Sequence, residues 1–408
     1  LIKLSSGEYF ASLDVPLQKV NNLAVTVTVH ADTVVLASAE ANSRYTGRLS
    51  ADGSQMQGTW QQPGFTVPLT LAHTALAVAA KPRLTPPYRE EGVTFSNAKE
   101  KLRLSGTLTI PPGAGPFPTV VLLSDAGSQD RNGTVGDFPL LGLIADYLTR
   151  HGVVVLRFDD RGTGQSTGSP QATTADLVSD AEAALNFLRT RPEVNLDRLG
   201  LIGHGEGGNV ALLTATQPLP PAFVIGLAPY GLPGSEIAVQ QQEKTMRSLQ
   251  TPPEQIEAAT TRQRLMYNIV RQTVTNSQAQ AIVANMLQQN NPALDNAAAQ
   301  ASAAEMVSAR YRYFLTFNPL EALPSVTCPV LLLYGTADFI LDADTNLAAL
   351  IKGSKGNKAV TTRKLLGVNH LFQPDPAQWP IVSGQPKPVF SPAAAEAIYT
   401  WITTLSSK

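Results

Sequence analysis

The segment best suited to chemistry is Arg198-Leu199-Gly200-Leu201-Ile202-Gly203-His204-Gly205-Glu206-Gly207-Gly208, an apolar run ending in closely spaced glycines. A strand that turns this sharply into a helix has the frame of a nucleophile elbow. The central residue is held at an unusual backbone angle, small neighbours let strand and helix approach, and the side chain stands above the helix N-terminus. Here the presented position is Gly205, which carries no side chain. Glycine-rich strand-to-helix turns also cradle phosphates, but this one lacks the lysine and following hydroxyl residue of that loop. His204 and Glu206 flank the turn: His204 is expected to pack beneath it, and Glu206 to orient its neighbours or face a pocket. A polar run after an earlier apolar strand, with Asp159, Asp160, Arg161 and Ser166, is expected to be pinned by buried aspartate-arginine pairing rather than to touch substrate.

Such a turn needs a sheet behind it. From Tyr88 onward short apolar runs alternate with helical segments, the pattern of a mostly parallel sheet covered on both faces. Strands are expected over Leu102 to Ile110, Thr119 to Leu123, Val153 to Phe158, Leu199 to Gly203, Phe223 to Leu227, Val330 to Tyr334 and Val360 to Leu366. Helices fit Leu140 to Arg150, Thr173 to Arg189, Glu206 onward and Ala393 to Leu405. In such a sheet the site lies at the carboxyl ends of the strands. The alternation breaks over 232–317, rich in Gln, Ala and Asn, with helical spacing at Met266, Val270 and Val274 and again at Ile282, Val283, Met286 and Leu287. A connection this long inside a domain reads as a helical cap overhanging the strand ends, or else as a packing or dimerisation appendage.

Ahead of this region, Glu8 to Leu71 alternates apolar and polar residues, as in Leu23-Ala24-Val25-Thr26-Val27-Thr28-Val29, with the turn signal Asp52-Gly53. An antiparallel β module is expected over 1–78, and Lys81-Pro82 and Pro86-Pro87 mark 79–87 as a linker. The core is then 88–231 together with 318–408. The 408 residues suffice for two cores.

A net charge of -1 and the lack of any clustered Lys/Arg window argue against nucleic acid or anionic membrane as partners. The single cysteine, Cys328, rules out an internal disulfide and reads as a small core residue. No run of about 18 apolar residues is present, so no membrane span is expected. The chain opens at Leu1 without an initiator methionine, from which a processed, exported protein is expected.

From about Tyr88 to Lys408 the chain resembles the α/β-hydrolases of the bacterial esterase and acyl-thioester hydrolase type. The resemblance rests on four segments in order: Gln129-Asp130-Arg131-Asn132-Gly133, Leu156 to Ser166, Gly203-His204 with Glu206-Gly207-Gly208, and Gly367-Val368-Asn369-His370-Leu371-Phe372-Gln373. The N-terminal β module is similar to the leader domain of some exported members. The implied fold is α/β, an α/β-hydrolase core with a helical cap and an N-terminal antiparallel β module. By position the resemblance places the nucleophile at Gly205, the acid at Asp338 after a late strand, and the base at His370 in the last loop. His370 would move a proton while Asp338 fixes its tautomer and stabilises its charged form.

The loop that would supply an oxyanion-hole amide reads Ser124-Asp125-Ala126-Gly127-Ser128, where the family has small glycines and serines. Ser124, Asp125, Ala126 and Glu206 are thus candidates for substrate or oxyanion contact. A carboxylate aimed into the site would repel a developing oxyanion. Asp125 either points at His370 and serves as a base or replacement nucleophile, or faces solvent with no chemical role.

Three readings follow. In the first, the chain is a carboxylic-ester or thioester hydrolase whose serine is replaced by Gly205, leaving weak or no acyl transfer. In the second, the site is rebuilt around His370, Asp338 and Asp125 for lyase-like or water-activating chemistry without an acyl-enzyme. In the third, the pocket binds a small molecule without turnover. No metal cluster or dinucleotide motif is seen, so no cofactor is expected; the partner is a small ester- or thioester-like molecule, and the oligomeric state is open.

Overall fold

The computed structural model describes residues 2–3, 9–15, 20–38, 42–72, 86–382 and 384–405. The chain divides into two compact units, Leu1–Thr85 and Pro86–Lys408. In the first, seven strands pair antiparallel in chain order: β1 (Ile2–Lys3), β2 (Tyr9–Val15), β3 (Val20–His30), β4 (Thr33–Ser38), β5 (Ser43–Leu49), β6 (Gln55–Gln62) and β7 (Phe65–Ala72). Alternation sets the faces: along β5, Ser43, Tyr45 and Gly47 are buried and the residues between them exposed. The Tyr45 ring is fully buried, and its hydroxyl donates to the Met56 carbonyl at 2.9 Å. Leu1, Glu8 and the linker residues 79–85, including Lys81-Pro82, lie outside the described residues.

The second unit is an α/β-hydrolase fold. Its strands are β8 (Arg89–Asn97), β9 (Leu102–Ile110), β10 (Phe117–Leu123), a small hairpin β11 (Thr134–Val135) and β12 (Phe138–Pro139), then β13 (Val154–Phe158), β14 (Val194–His204), β15 (Phe223–Leu227), β16 (Val330–Gly335) and β17 (Val360–Leu365). The main sheet runs β17-β16-β15-β14-β10-β13-β9-β8. It is parallel from β17 to β13, with β9 and β8 antiparallel at one edge. Every residue of β13 and β15 is buried, as expected where helices cover both faces.

Helices α1 (Leu140–Arg150), α2 (Thr174–Leu188) and α3 (Glu206–Thr214) connect the early strands. At the start of α2 the Thr173 hydroxyl accepts from the Asp176 amide while the Asp176 carboxylate accepts from the Thr173 amide, which satisfies two donors the helix leaves unpaired. Five helices fill the insertion between β15 and β16: α4 (Gly234–Ser248), α5 (Pro253–Gln272), α6 (Asn276–Asn290), α7 (Asn296–Met306) and α8 (Ala309–Thr316). They carry a core of their own, around Val239, Met266, Tyr267, Val270, Val283 and Leu315. Helices α9 (Ala343–Gly353) and α10 (Pro392–Thr404) complete the layer.

Three local expectations need correction. Val274 does not continue the buried stripe of Met266 and Val270: α5 ends at Gln272, and Val274 is 95% exposed. Strand β14 starts at Val194, five residues before the apolar run, because Val194 pairs with Phe117 across an irregularity in the ladder. Strand β8 lies outside the expected set because, at the edge of the sheet, it opens with exposed Arg89 and Glu90 and buries only Val93, Phe95 and Asn97.

Candidate functional site

Strands β10 and β14 are parallel neighbours, with Leu123 opposite Gly203. Residues 125 and 205 each lie two positions beyond that pair, so the register itself brings the two loops together at the carboxyl edge of the sheet. Gly205 caps α3 with φ +50° and ψ -118°, a backbone conformation that side-chain-bearing residues rarely adopt. Gly207 is needed for a different reason: a β-carbon there would come within 2.3 Å of the Ser124 carbonyl oxygen.

Asp125 points into the site. Its Oδ1 accepts the Glu206 amide at 2.9 Å and the Ala126 amide at 2.7 Å. Its Oδ2 lies 3.1 Å from His370 Nε2. A β-carbon added at Gly205 would stand 1.8 Å from Asp125 Oδ1, so the carboxylate fills the space of the missing side chain. It also occupies the amide of the residue after the elbow, the donor such a site ordinarily turns toward an oxyanion.

His370 sits between two carboxylates. Its Nδ1 is 2.7 Å from Asp338 Oδ2, while Asp338 Oδ1 accepts the Ile340 and Leu341 amides at 2.7 and 2.8 Å. With Asp338 held by backbone and nearly inaccessible, the imidazole has one orientation. Burial by itself would lower the His370 pKa, but the hydrogen bonds and charges of Asp125 and Asp338 outweigh it and raise the pKa to about 9. Burial would likewise raise Asp125, and its bonds to His370 and the Glu206 amide, with the charges of both histidines, hold it well below the usual carboxylate range. The resting pair is therefore carboxylate and imidazolium.

His204 does more than pack under the turn. Its Nε2 lies 2.9 Å from the His370 carbonyl oxygen, its Nδ1 is 4.0 Å from Asp125 Oδ2, and its ring centroid is 4.8 Å from that of His370. A carbonyl oxygen can only accept, so Nε2 carries the hydrogen. Burial lowers its pKa, opposed by the Asp125 charge. Asp125, His204 and His370 each offer one donor atom within 4.8 Å of the others, a donor set of the kind transition metals take.

The remaining sequence candidates separate. Glu206 lines the site, accepts the Thr174 hydroxyl at 2.6 Å, and has its pKa raised by burial. Ser124 donates to the Asp160 carboxylate at 2.8 Å. Asp160 also accepts the Gln129 amide at 2.8 Å, and burial pushes its pKa up to about 7 against those two bonds, with help from the charges of Asp180 and Glu206. Asp159 pairs with Arg131 at 2.6 Å, and Arg161 with Asp180 at 2.7 Å. This polar run braces the loop that carries Asp125.

Above these groups opens a cavity of about 710 Å³. Val135, Tyr230, Ile340 and Leu371 form apolar walls, and the inserted helices contribute Gln241, Glu305, Arg310, Tyr311 and Phe314. The sequence pattern assigned none of these cap residues to the site, because helical periodicity marks which residues face the cap's own core and not which face the cavity. Among the described residues no helix is long and apolar enough to cross a membrane.

Residues 139–366 match the family model for serine aminopeptidase, S33, and the chain belongs to that family of α/β-hydrolases. It is similar to esterase EstD of Thermotoga maritima, 29% identical over 163 residues that cover 40% of this chain and 37% of the relative. It is also similar to the uncharacterized protein YfhR of Escherichia coli, 34% identical over 122 residues covering 30% of this chain and 40% of that one. The matched region thus spans well under half the length of these relatives. A solved esterase of Pyrococcus furiosus is 17% identical, covering 70% of this chain and 84% of that chain with a TM-score of 0.47.

Proposed function

We propose that this chain hydrolyses a small ester- or thioester-like molecule through Asp125, with Gly205 marking a nucleophile position that no longer acts. The observation that carries this reading is the seating of Asp125: one oxygen held by the Glu206 amide of the elbow and the Ala126 amide of its own loop, the other against His370. The esterase-type scaffold and the apolar, capped cavity support the substrate class.

In this reading Asp125 Oδ2 bonds to the acyl carbon, the bond from that carbon to the leaving oxygen or sulfur breaks, and His370 Nε2 gives its proton to the leaving group. The products are an anhydride on Asp125 and a neutral imidazole. His370 then takes a proton from water as the water oxygen adds to Asp125 Cγ. The negative charge develops on Oδ1, which the Glu206 and Ala126 amides already hold, and expulsion of the substrate carboxylate completes hydrolysis. Exchange of a proton with solvent restores the resting pair.

A second reading has support from the His370–Asp338 contact of 2.7 Å, which suits a general base acting without a covalent intermediate. Repeated turnover in ¹⁸O-water separates the two. Heavy oxygen entering the peptide that contains Asp125, together with loss of activity in Asp125→Asn, is expected for the covalent route. Label in the product alone, with Asp125→Asn still active, overturns it in favour of the general base.

A further inference from the structure

Helix α8 opens with two arginines that behave differently. Arg312 spends its guanidinium on α5, bonding to the carbonyls of Val270 and Thr273. Arg310, two residues earlier, faces the cavity, and among the described residues its guanidinium makes no hydrogen bond or ion pair. A cation in the first turn also opposes the helix dipole, so its position gains nothing from the helix itself.

The other charged groups facing the cavity do not neutralise it. Asp125 is paired with His370, and Asp338 behind them is absorbed by two backbone amides and the same imidazole. Glu206 is buried and accepts from Thr174, and among the described residues it forms no ion pair with Arg310. Glu305 is exposed, where solvent screens it. Arg310 also lines a small recess with Glu206, Ser128 and Asp160, so it stands at the end of the cavity beside the Asp125 loop.

Resting on the hydrolytic reading above, we infer that Arg310 binds a carboxylate on the substrate, so that the chain prefers esters or thioesters that carry a second, acidic end. A guanidinium offers a planar fork of donors that matches a carboxylate with two parallel bonds, and an apolar cavity makes such a pair stronger than it would be in water.

The test compares methyl hydrogen adipate, methyl hexanoate and a methyl ester ending in trimethylammonium. The acidic ester is expected to have the highest kcat/KM. Arg310→Met should raise its KM by about tenfold to a hundredfold, as loss of charge-assisted bonds implies, and leave the neutral ester within about twofold. Arg310→Lys should recover part of the loss. A preference for the neutral or cationic ester, or an equal effect of Arg310→Met on all three, overturns the inference. Calorimetric titration with adipate keeps the test separate from turnover: binding that is lost in Arg310→Met supports the carboxylate site even if no ester is cleaved, and an absence of binding that accompanies normal ester turnover refutes the site while sparing the hydrolytic reading.

Discussion

His370 Nε2 meets Asp125 Oδ2 at 3.1 Å, the place where the imidazole of a serine triad would meet a hydroxyl. An anion thus stands where a serine triad has a neutral partner, and the imidazole lies between two carboxylates. The group that awaits a proton in a serine triad already holds one here.

The pH dependence follows in sign. If His370 protonates the leaving group, kcat/KM is flat near neutrality and falls as pH rises through about 9, the pKa to which Asp125 and Asp338 raise it. A general-base role gives the opposite slope. Stability should move with the first: the His370 contribution is full below its unfolded pKa of about 6.5 and is lost as pH passes the folded value. Steady-state rates and urea midpoints from pH 6 to pH 10 check both.

Gly205→Ser should not restore a serine hydrolase. The new β-carbon would fall 1.8 Å from Asp125 Oδ1, so the single substitution is expected to cost about 1–3 kcal/mol and to displace Asp125. Gly205→Ser with Asp125→Ala frees both the volume and the Glu206 amide. That double variant should gain short-chain esterase activity and show an acyl group on residue 205 by mass spectrometry; no gain would mean that more of the centre has been rebuilt.

Asp160 should matter through the loop it braces. Asp160→Ala strands the Ser124 hydroxyl and the Gln129 amide; because both donors are half-buried, the expected cost is about 1 kcal/mol for each, with a fall in kcat. Because burial raises the Asp160 pKa to about 7, its stabilising contribution is present at low pH and lost as pH rises through that value. Asp160→Asn should remove that slope in thermal melts recorded between pH 4 and pH 8.

The Arg161–Asp180 pair is nearly inaccessible and shared with Asn97, which donates to Asp180 at 2.7 Å. Arg161→Met leaves a buried carboxylate uncompensated and should lower stability by about 3–5 kcal/mol in chemical denaturation. A loss under about 1 kcal/mol would mean that Asp180 had found another partner.

The strands over Leu102–Ile110 and Phe223–Leu227 were legible to the residue for different reasons: the second is a continuous apolar run, as a strand buried on both faces is written, whereas the first alternates Leu102, Leu104, Leu108 and Ile110 with polar residues. The elbow frame was legible too, since its glycines stand together in sequence. The direction of the Asp125 side chain was not. It depends on β10 lying beside β14, and one of the two amides that Asp125 accepts belongs to a residue 81 positions away. His204 was placed under the turn but not against His370, for the same reason: β17 delivers its loop from the far edge of the sheet. Arg310 could not be singled out from Arg312 two residues on, because only the packing of α8 decides which of them spends its donors on the cap.

The register of Leu123 with Gly203 also imposes an order on sequence change. Residues 125 and 205 contend for one volume, so a serine at 205 and an inward aspartate at 125 cannot be combined without moving one of them. The least costly lineage from a serine elbow to this arrangement gives up the serine before it acquires the aspartate, and the reverse passage sheds the aspartate first. That path crosses a stage in which neither position bears a reactive group, while the other path carries both residues with Asp125 pushed out of the site.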